Sequence, residues 1–134
     1  MTADDLRAIP LFADASEAAL ETVALHAGEV TCESGQILAL EGDRGSGMFV
    51  VLDGRVSVEW RGGRVELGPG SFVGELTLLA PGGTRNARVR AATHVRCLAI
   101  SRDDALHLVE TEPSVALGML REVARRFANA LPDS

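Results

Sequence analysis

The sequence predicts a mainly β domain, an antiparallel β-roll with flanking helices, on three observations. Short β-prone runs recur at close intervals through the middle of the chain, glycine-rich clusters separate them, and segments of helical periodicity bracket them. Fourteen glycines against five prolines, with no low-complexity tract, fit many tight turns rather than disorder. Many short strands at this spacing belong to a sandwich, a jelly roll or a barrel. At 134 residues the chain is expected to be one domain, residues 1–134. A domain of that length buries roughly two-thirds of its unfolded surface and needs neither disulfide nor metal to fold.

The N-terminal segment, residues 1–28, reads as helical. Asp14 or Ser16 can cap a helix in which Leu20, Val23, Ala24 and Ala27 recur at three- and four-residue spacing. Leu11 and Phe12 precede it as a hydrophobic anchor, and Gly28 is expected to end it. Residues 29–100 carry the β-roll, with strands expected at Ile37–Leu40, Met48–Leu52, Val56–Trp60, Arg64–Leu67, Ala87–Ala91 and Val95–Ile100. Asp53-Gly54 and Gly62-Gly63 are strong tight-turn signals. Residues 101–130 return to helix. Ser101 with Asp104 three residues on reads as a capping box for Arg102–Glu110, and Pro113 suits the first turn of a second helix. In that helix Ala116, Leu120, Val123 and Phe127 form one apolar face, read as core packing ahead of a partner surface.

Charge and composition exclude several classes. The formal charge is −6, and all thirteen basic residues are arginines scattered without a stripe, so no nucleic-acid partner is expected. Met1 to Arg7 is acidic and carries no hydrophobic stretch, and no apolar run approaches the ~20 residues of a membrane span. A cytoplasmic location without membrane contact follows. Cys32 and Cys97 sit in apolar, strand-like settings and read as free thiols in preference to a disulfide. His26, His94 and His107 stand at no metal-ligating spacing, so no metal is expected, and two cysteines cannot supply a four-thiolate cluster. Trp60, at a hairpin end, reads as packing or as an exposed edge residue.

The chemistry concentrates between residues 72 and 91. Two glycine turns flank the short run Gly74–Leu79, which holds one acidic residue, Glu75, among apolar ones. A single helical turn of that length must be imposed by its surroundings, and its free N–H groups suit an anion. In a strand over 85–91, Arg85, Ala87, Val89 and Ala91 share one face, while Asn86, Arg88 and Arg90 share the other. The first face is apolar apart from Arg85, so Arg85 is aimed at the interior of the roll beside small alanines. A buried guanidinium needs an anion, and phosphate matches it bidentately. The alternatives are a structural Glu75–Arg85 salt bridge and, for Arg88 and Arg90, solvated strand-face charges. No nucleophile–base pair accompanies Glu75, so an enzyme is not expected.

These residues resemble the cyclic nucleotide-binding domain family, the sensor domain of the catabolite activator protein and of kinase regulatory subunits. Its phosphate-binding cassette matches Phe72-Val73-Gly74-Glu75-Leu76-Thr77-Leu78-Leu79 followed by Thr84-Arg85-Asn86-Ala87-Arg88-Val89-Arg90-Ala91. The glycine-marked runs Gly35–Asp43 and Met48–Val58 resemble the family's early strands, and Asp4–Leu25 and Arg102–Phe127 its flanking helices. The resemblance implies a regulatory module that binds a cyclic nucleotide, with cyclic AMP the expected ligand. By the same resemblance Arg85 pairs with the cyclic phosphate and Glu75 accepts from the ribose 2′-hydroxyl. Gly74 and Leu76 then line the phosphate through their backbone, while Phe72, Val73 and Ala87 line the pocket. Asn86 replaces the family's usual Ala, Ser or Thr and either adds an amide contact to phosphate or crowds the site. Asn129 is the one polar side chain proposed near the base, and movement of the C-terminal helix is the implied output. The rival reading is a domain that no longer binds ligand and uses the Phe127 helix for homodimer or effector-protein contacts.

Overall fold

Thr2 opens the first helix, α1 (Ala3–Arg7). Its hydroxyl accepts from Asp5 N at 3.2 Å while the Asp5 carboxylate accepts from Thr2 N at 2.9 Å, a reciprocal capping box. The computed structural model describes residues 1–39, 47–74 and 88–130. They form two units, Met1–Ala24 with His107–Ser134 and Leu25–Leu106.

The first unit is helical. A 3-10 turn (Pro10–Phe12) buries Leu11 and Phe12, the expected anchor. Helix α2 (Glu17–His26) is capped by Ser16, whose hydroxyl accepts from Ala19 N at 3.2 Å. Leu20 and Val23 are its buried positions, and Ala27 lies past its end. Gly28 does not close this helix as expected, because it is already paired with Ala99 as the first residue of a strand. Helix α3 (Arg102–Thr111), whose second half from His107 belongs to this unit, leads to α4 (Pro113–Ala130), with Pro113 at its first position. The 3-10 turn packs on α1 and α4. At Gly118 the approach is close enough that a Cβ would stand 3.1 Å from Leu11 Cδ1. Arg7 pairs with Glu17 at 2.5 Å, and Glu112 accepts from Ser16 N at 2.5 Å.

The apolar face expected on α4 is only partly packed, with Ala116 and Val123 half-buried and its two large residues exposed. Leu120 and Phe127 are 65% and 66% exposed, while Val115 and Met119 are buried. The packed stripe lies one residue earlier, about 100° round the helix. It continues through Glu122 and Arg126, which pair at 3.1 Å. Among the described residues no helix is long and apolar enough to cross a membrane.

The second unit is the β-roll. One sheet runs in the order β1 (Gly28–Cys32), β8 (Val95–Ser101), β3 (Gly47–Asp53), β6 (Phe72–Val73). The other runs β2 (Ile37–Ala39), β7 (Arg88–Ala91), β4 (Val56–Trp60), β5 (Gly63–Leu67). All pairings are antiparallel. The expected strands are present in their described residues, and β1 and β6 add to them. Val51, Val73, Val95 and Cys97 from the first sheet meet Val56, Leu67, Val89 and Ala91 from the second in one core.

Two turn signals take on different roles here. Gly62 turns the β4–β5 hairpin at φ +106, with Trp60 opposite Gly63, so the loop is Arg61-Gly62 and Gly63 is strand. Asp53-Gly54 makes no hairpin, because β3 and β4 belong to different sheets. It carries the chain from one layer to the other, with Gly54 at φ +83 against His94. Three further connections, 32–37, 67–72 and 91–95, share this end. Their backbone bonds include Gly35 N to Ala91 O and Gly70 N to Val51 O, each 2.8 Å. On the outer side of the first sheet Arg96 of β8 bridges Glu29 of β1 at 3.1 Å and Asp53 of β3 at 2.7 Å. Ser101 caps α3 by accepting from Asp104 N at 3.2 Å. The other half of the expected box is absent in favour of His26, whose Nδ1 lies 3.2 Å from the Asp104 carboxylate.

Candidate functional site

Strand parity defines the inside of the roll, and burial along it is graded. At the end closed by the four connections, Val51, Val56, Leu67, Ala91, Val95 and Cys97 are buried. Towards the opposite end the inward positions open. Phe49 and Ala99, paired across β3 and β8, and Val58 on β4 are half-buried, and Val65, its partner on β5, is exposed, while Val73 beside Phe49 and Val89 beside Val58 stay buried. Both sheets thus open at the same end. Half-buried and exposed apolar residues on the inner face of a roll suit the entry of a small ligand against an apolar wall.

The stretch 75–87 departs from this open end and returns to it. It departs from β6, where Val73 pairs with Phe49, and Gly74 turns the chain at φ +98, a conformation that strains any residue with a Cβ. It returns at Arg88, which pairs with Glu59 at the far end of β4. The expected parity holds over the described part of β7. Val89 and Ala91 face the core, and Arg88 and Arg90 face out.

Those two arginines are not simply solvated charges. Arg88 donates to Glu59 Oε1 through Nε at 3.0 Å and Nη2 at 2.7 Å, and Arg90 Nη2 donates to Oε2 at 2.5 Å. Ser57 Oγ adds a bond to Oε2 at 3.2 Å. The hydrogen bond from Arg88, with lesser contributions from Arg90 and Ser57, holds the Glu59 carboxyl below its ordinary range against the opposing effect of burial. This network ties β7 to β4 immediately before the chain enters the roll.

Of the residues singled out by sequence, Glu75, Leu76, Arg85, Asn86 and Ala87 lie outside the described residues. Val73 joins the core on the inner face, whereas Phe72 pairs with Val50 and is buried on the other face of the sheet. Gly74 stands at the open end. Asn129 is exposed on α4, in the other unit. Sequence reasoning misses Phe49, Val58 and Val65 as wall residues. Their parity with Val51, Val56 and Leu67 is the signal that finds them. Among the described residues no cluster of three or more His, Cys, Asp or Glu could hold a metal ion.

Comparison with known proteins agrees with this geometry. The family model described as "Cyclic nucleotide-binding domain" matches residues 29–112. A cyclic nucleotide-gated potassium channel from Rhizobium etli is 35% identical over 109 residues, covering 81% of this chain and 30% of the channel. A cyclic AMP receptor protein from Thermus thermophilus is 33% identical over 102 residues, covering 72% of this chain and 47% of the receptor. The chain therefore spans about half or less of these relatives. A solved chain from Geobacter metallireducens shares the fold with a TM-score of 0.79 at 21% identity, covering 98% of this chain and 99% of that one.

Proposed function

The chain belongs to the cyclic nucleotide-binding domain family, and from that premise we propose that it is a regulatory module binding a cyclic nucleotide, with cyclic AMP as the ligand. The observation that carries the reading is the placement of Gly74 and Arg88 at the open end of an apolar-walled roll. The stretch between them contains Glu75 and Arg85. In this reading Arg85 takes the cyclic phosphate, helped by Asn86 and by the backbone at Gly74 and Leu76, and Glu75 takes the ribose 2′-hydroxyl. The inward parity of Val89 and Ala91 supports an inward Arg85 four positions before Val89. The family name and the name of the Thermus receptor support the ligand class. Movement of the C-terminal helix on binding is the proposed output. The module itself performs no catalysis in this reading.

Calorimetric titration of the purified chain with cyclic AMP and cyclic GMP tests the proposal. Binding of cyclic AMP is expected, and Arg85→Ala should weaken it by roughly tenfold or more, since a charge-assisted hydrogen bond contributes about 1.5–3 kcal/mol. Unchanged affinity in that variant would refute the phosphate role. A second reading, a module that binds no nucleotide and acts through partner contacts, is favoured by one observation. Leu117, Leu120 and Phe127 present exposed apolar surface along α4. Absence of heat from either nucleotide at millimolar concentration would leave that reading standing in place of the first.

A further inference from the structure

Trp60 closes β4 with the same parity as Val56 and Val58, so its side chain belongs to the inward face of the roll at the open end. The ring position agrees. A Cβ built on Gly63 would point to the side shared with Val65 and Leu67, and it would meet the indole at 3.1 Å. The ring therefore lies over Gly63 on the inner side of the hairpin, and the missing side chain at 63 gives it room. It remains 40% exposed beside half-buried Val58 and exposed Val65.

A large flat apolar group at the rim of an apolar wall matches a planar heteroaromatic ring, which stacks on an indole through its π-face. We propose that Trp60 is the platform on which the base of the bound nucleotide stacks, an affinity-determining residue on the opposite sheet from the β6 exit at Gly74. The inference rests on the nucleotide-binding reading above. It adds what the cassette does not supply, a surface for the base.

The chain has a single tryptophan and no tyrosine, so its near-ultraviolet emission reports on position 60 alone. Titration with cyclic AMP should change that emission along the same curve that calorimetry gives for binding. Trp60→Leu should lose about tenfold in affinity for cyclic AMP, and Trp60→Phe should keep affinity within about threefold of wild type. A base-free ribose cyclic phosphate should bind wild type and Trp60→Leu alike. Far-ultraviolet circular dichroism checks that each variant is folded. If wild type binds cyclic AMP while its emission stays fixed and Trp60→Leu binds equally well, the stacking role is overturned and the nucleotide reading survives. Equal losses for cyclic AMP and the base-free ligand would assign Trp60 to hairpin structure and overturn the proposal too. If wild type binds neither, both readings fall.

Discussion

Replacing Gly54 by alanine tests how the closed end holds the two sheets together. Two costs arise. At φ +83 a residue with a Cβ is strained by about 1–2 kcal/mol. The added Cβ would also stand 2.1 Å from His94 O and 3.0 Å from Val95 Cα, both backbone atoms, so the 92–95 turn must withdraw by about 1 Å. That turn is fastened by Arg55 N donating to Thr93 Oγ1 at 3.1 Å and Ala92 N donating to Arg55 O at 3.0 Å. Losing both adds about 2 kcal/mol, for a total of about 3–4 kcal/mol. In a chain of this size that corresponds to a fall in Tm of about 11–14 °C. Gly62→Ala is the control. Gly62 has φ +106 but nothing within 4 Å of its would-be Cβ, so only the conformational strain applies. Any gain from restricting the unfolded chain is common to both variants. Thermal unfolding followed by circular dichroism should show Gly54→Ala falling well below Gly62→Ala. Equal losses would refute the claim that this contact fastens the layers.

Two more measurements probe the core and the helical unit. Burial, with a smaller effect from the nearby Cys32, pushes the Cys97 thiol up to about 11. Native protein at pH 8 should therefore react with a thiol reagent at Cys97 only after denaturation, and rapid native labelling of Cys97 would contradict its burial. Met119→Ala should cost about 2–4 kcal/mol in urea unfolding and Phe127→Ala within about 0.5 kcal/mol. The reverse order would show that the outward stripe of α4 is the packed one.

Local patterns were legible where one residue's neighbours decide the outcome. Alternation at Val89 and Ala91 against Arg88 and Arg90 identifies the inner face of β7, because the period of a strand is two whatever sheet it joins. Ser101 and Pro113 mark their helix starts because capping is settled within a turn. Pairing over longer distances was not legible. Asp53-Gly54 carries the composition of a hairpin loop, yet the strand after it pairs in the other layer, a choice made by packing against β7. On α4 the period predicts an apolar stripe. It does not tell 116–120–123–127 from the neighbouring 115–119–122–126, whose charged members pair with each other. The wall of the candidate site, Phe49, Val58 and Val65, reads in sequence as ordinary core. Only the three-dimensional gradient of burial distinguishes it.

Arg96 acts on assembly more than on stability. It sits half-exposed on the central strand with one carboxylate on each neighbouring strand, Glu29 and Asp53, and exposed ion pairs contribute little to the folding free energy. Their placement is nevertheless demanding. Asp53 comes opposite Arg96 only because β3 bulges after Val51, and Glu29 faces outward with it only in the observed alignment of β1. Slippage of either strand by one residue would send its carboxylate through to the apolar interior. Slippage by two would carry it about 7 Å from the guanidinium. The trio thus penalises misaligned sheets, so β3 reaches the open end with Phe49, rather than a neighbour, on the inner wall.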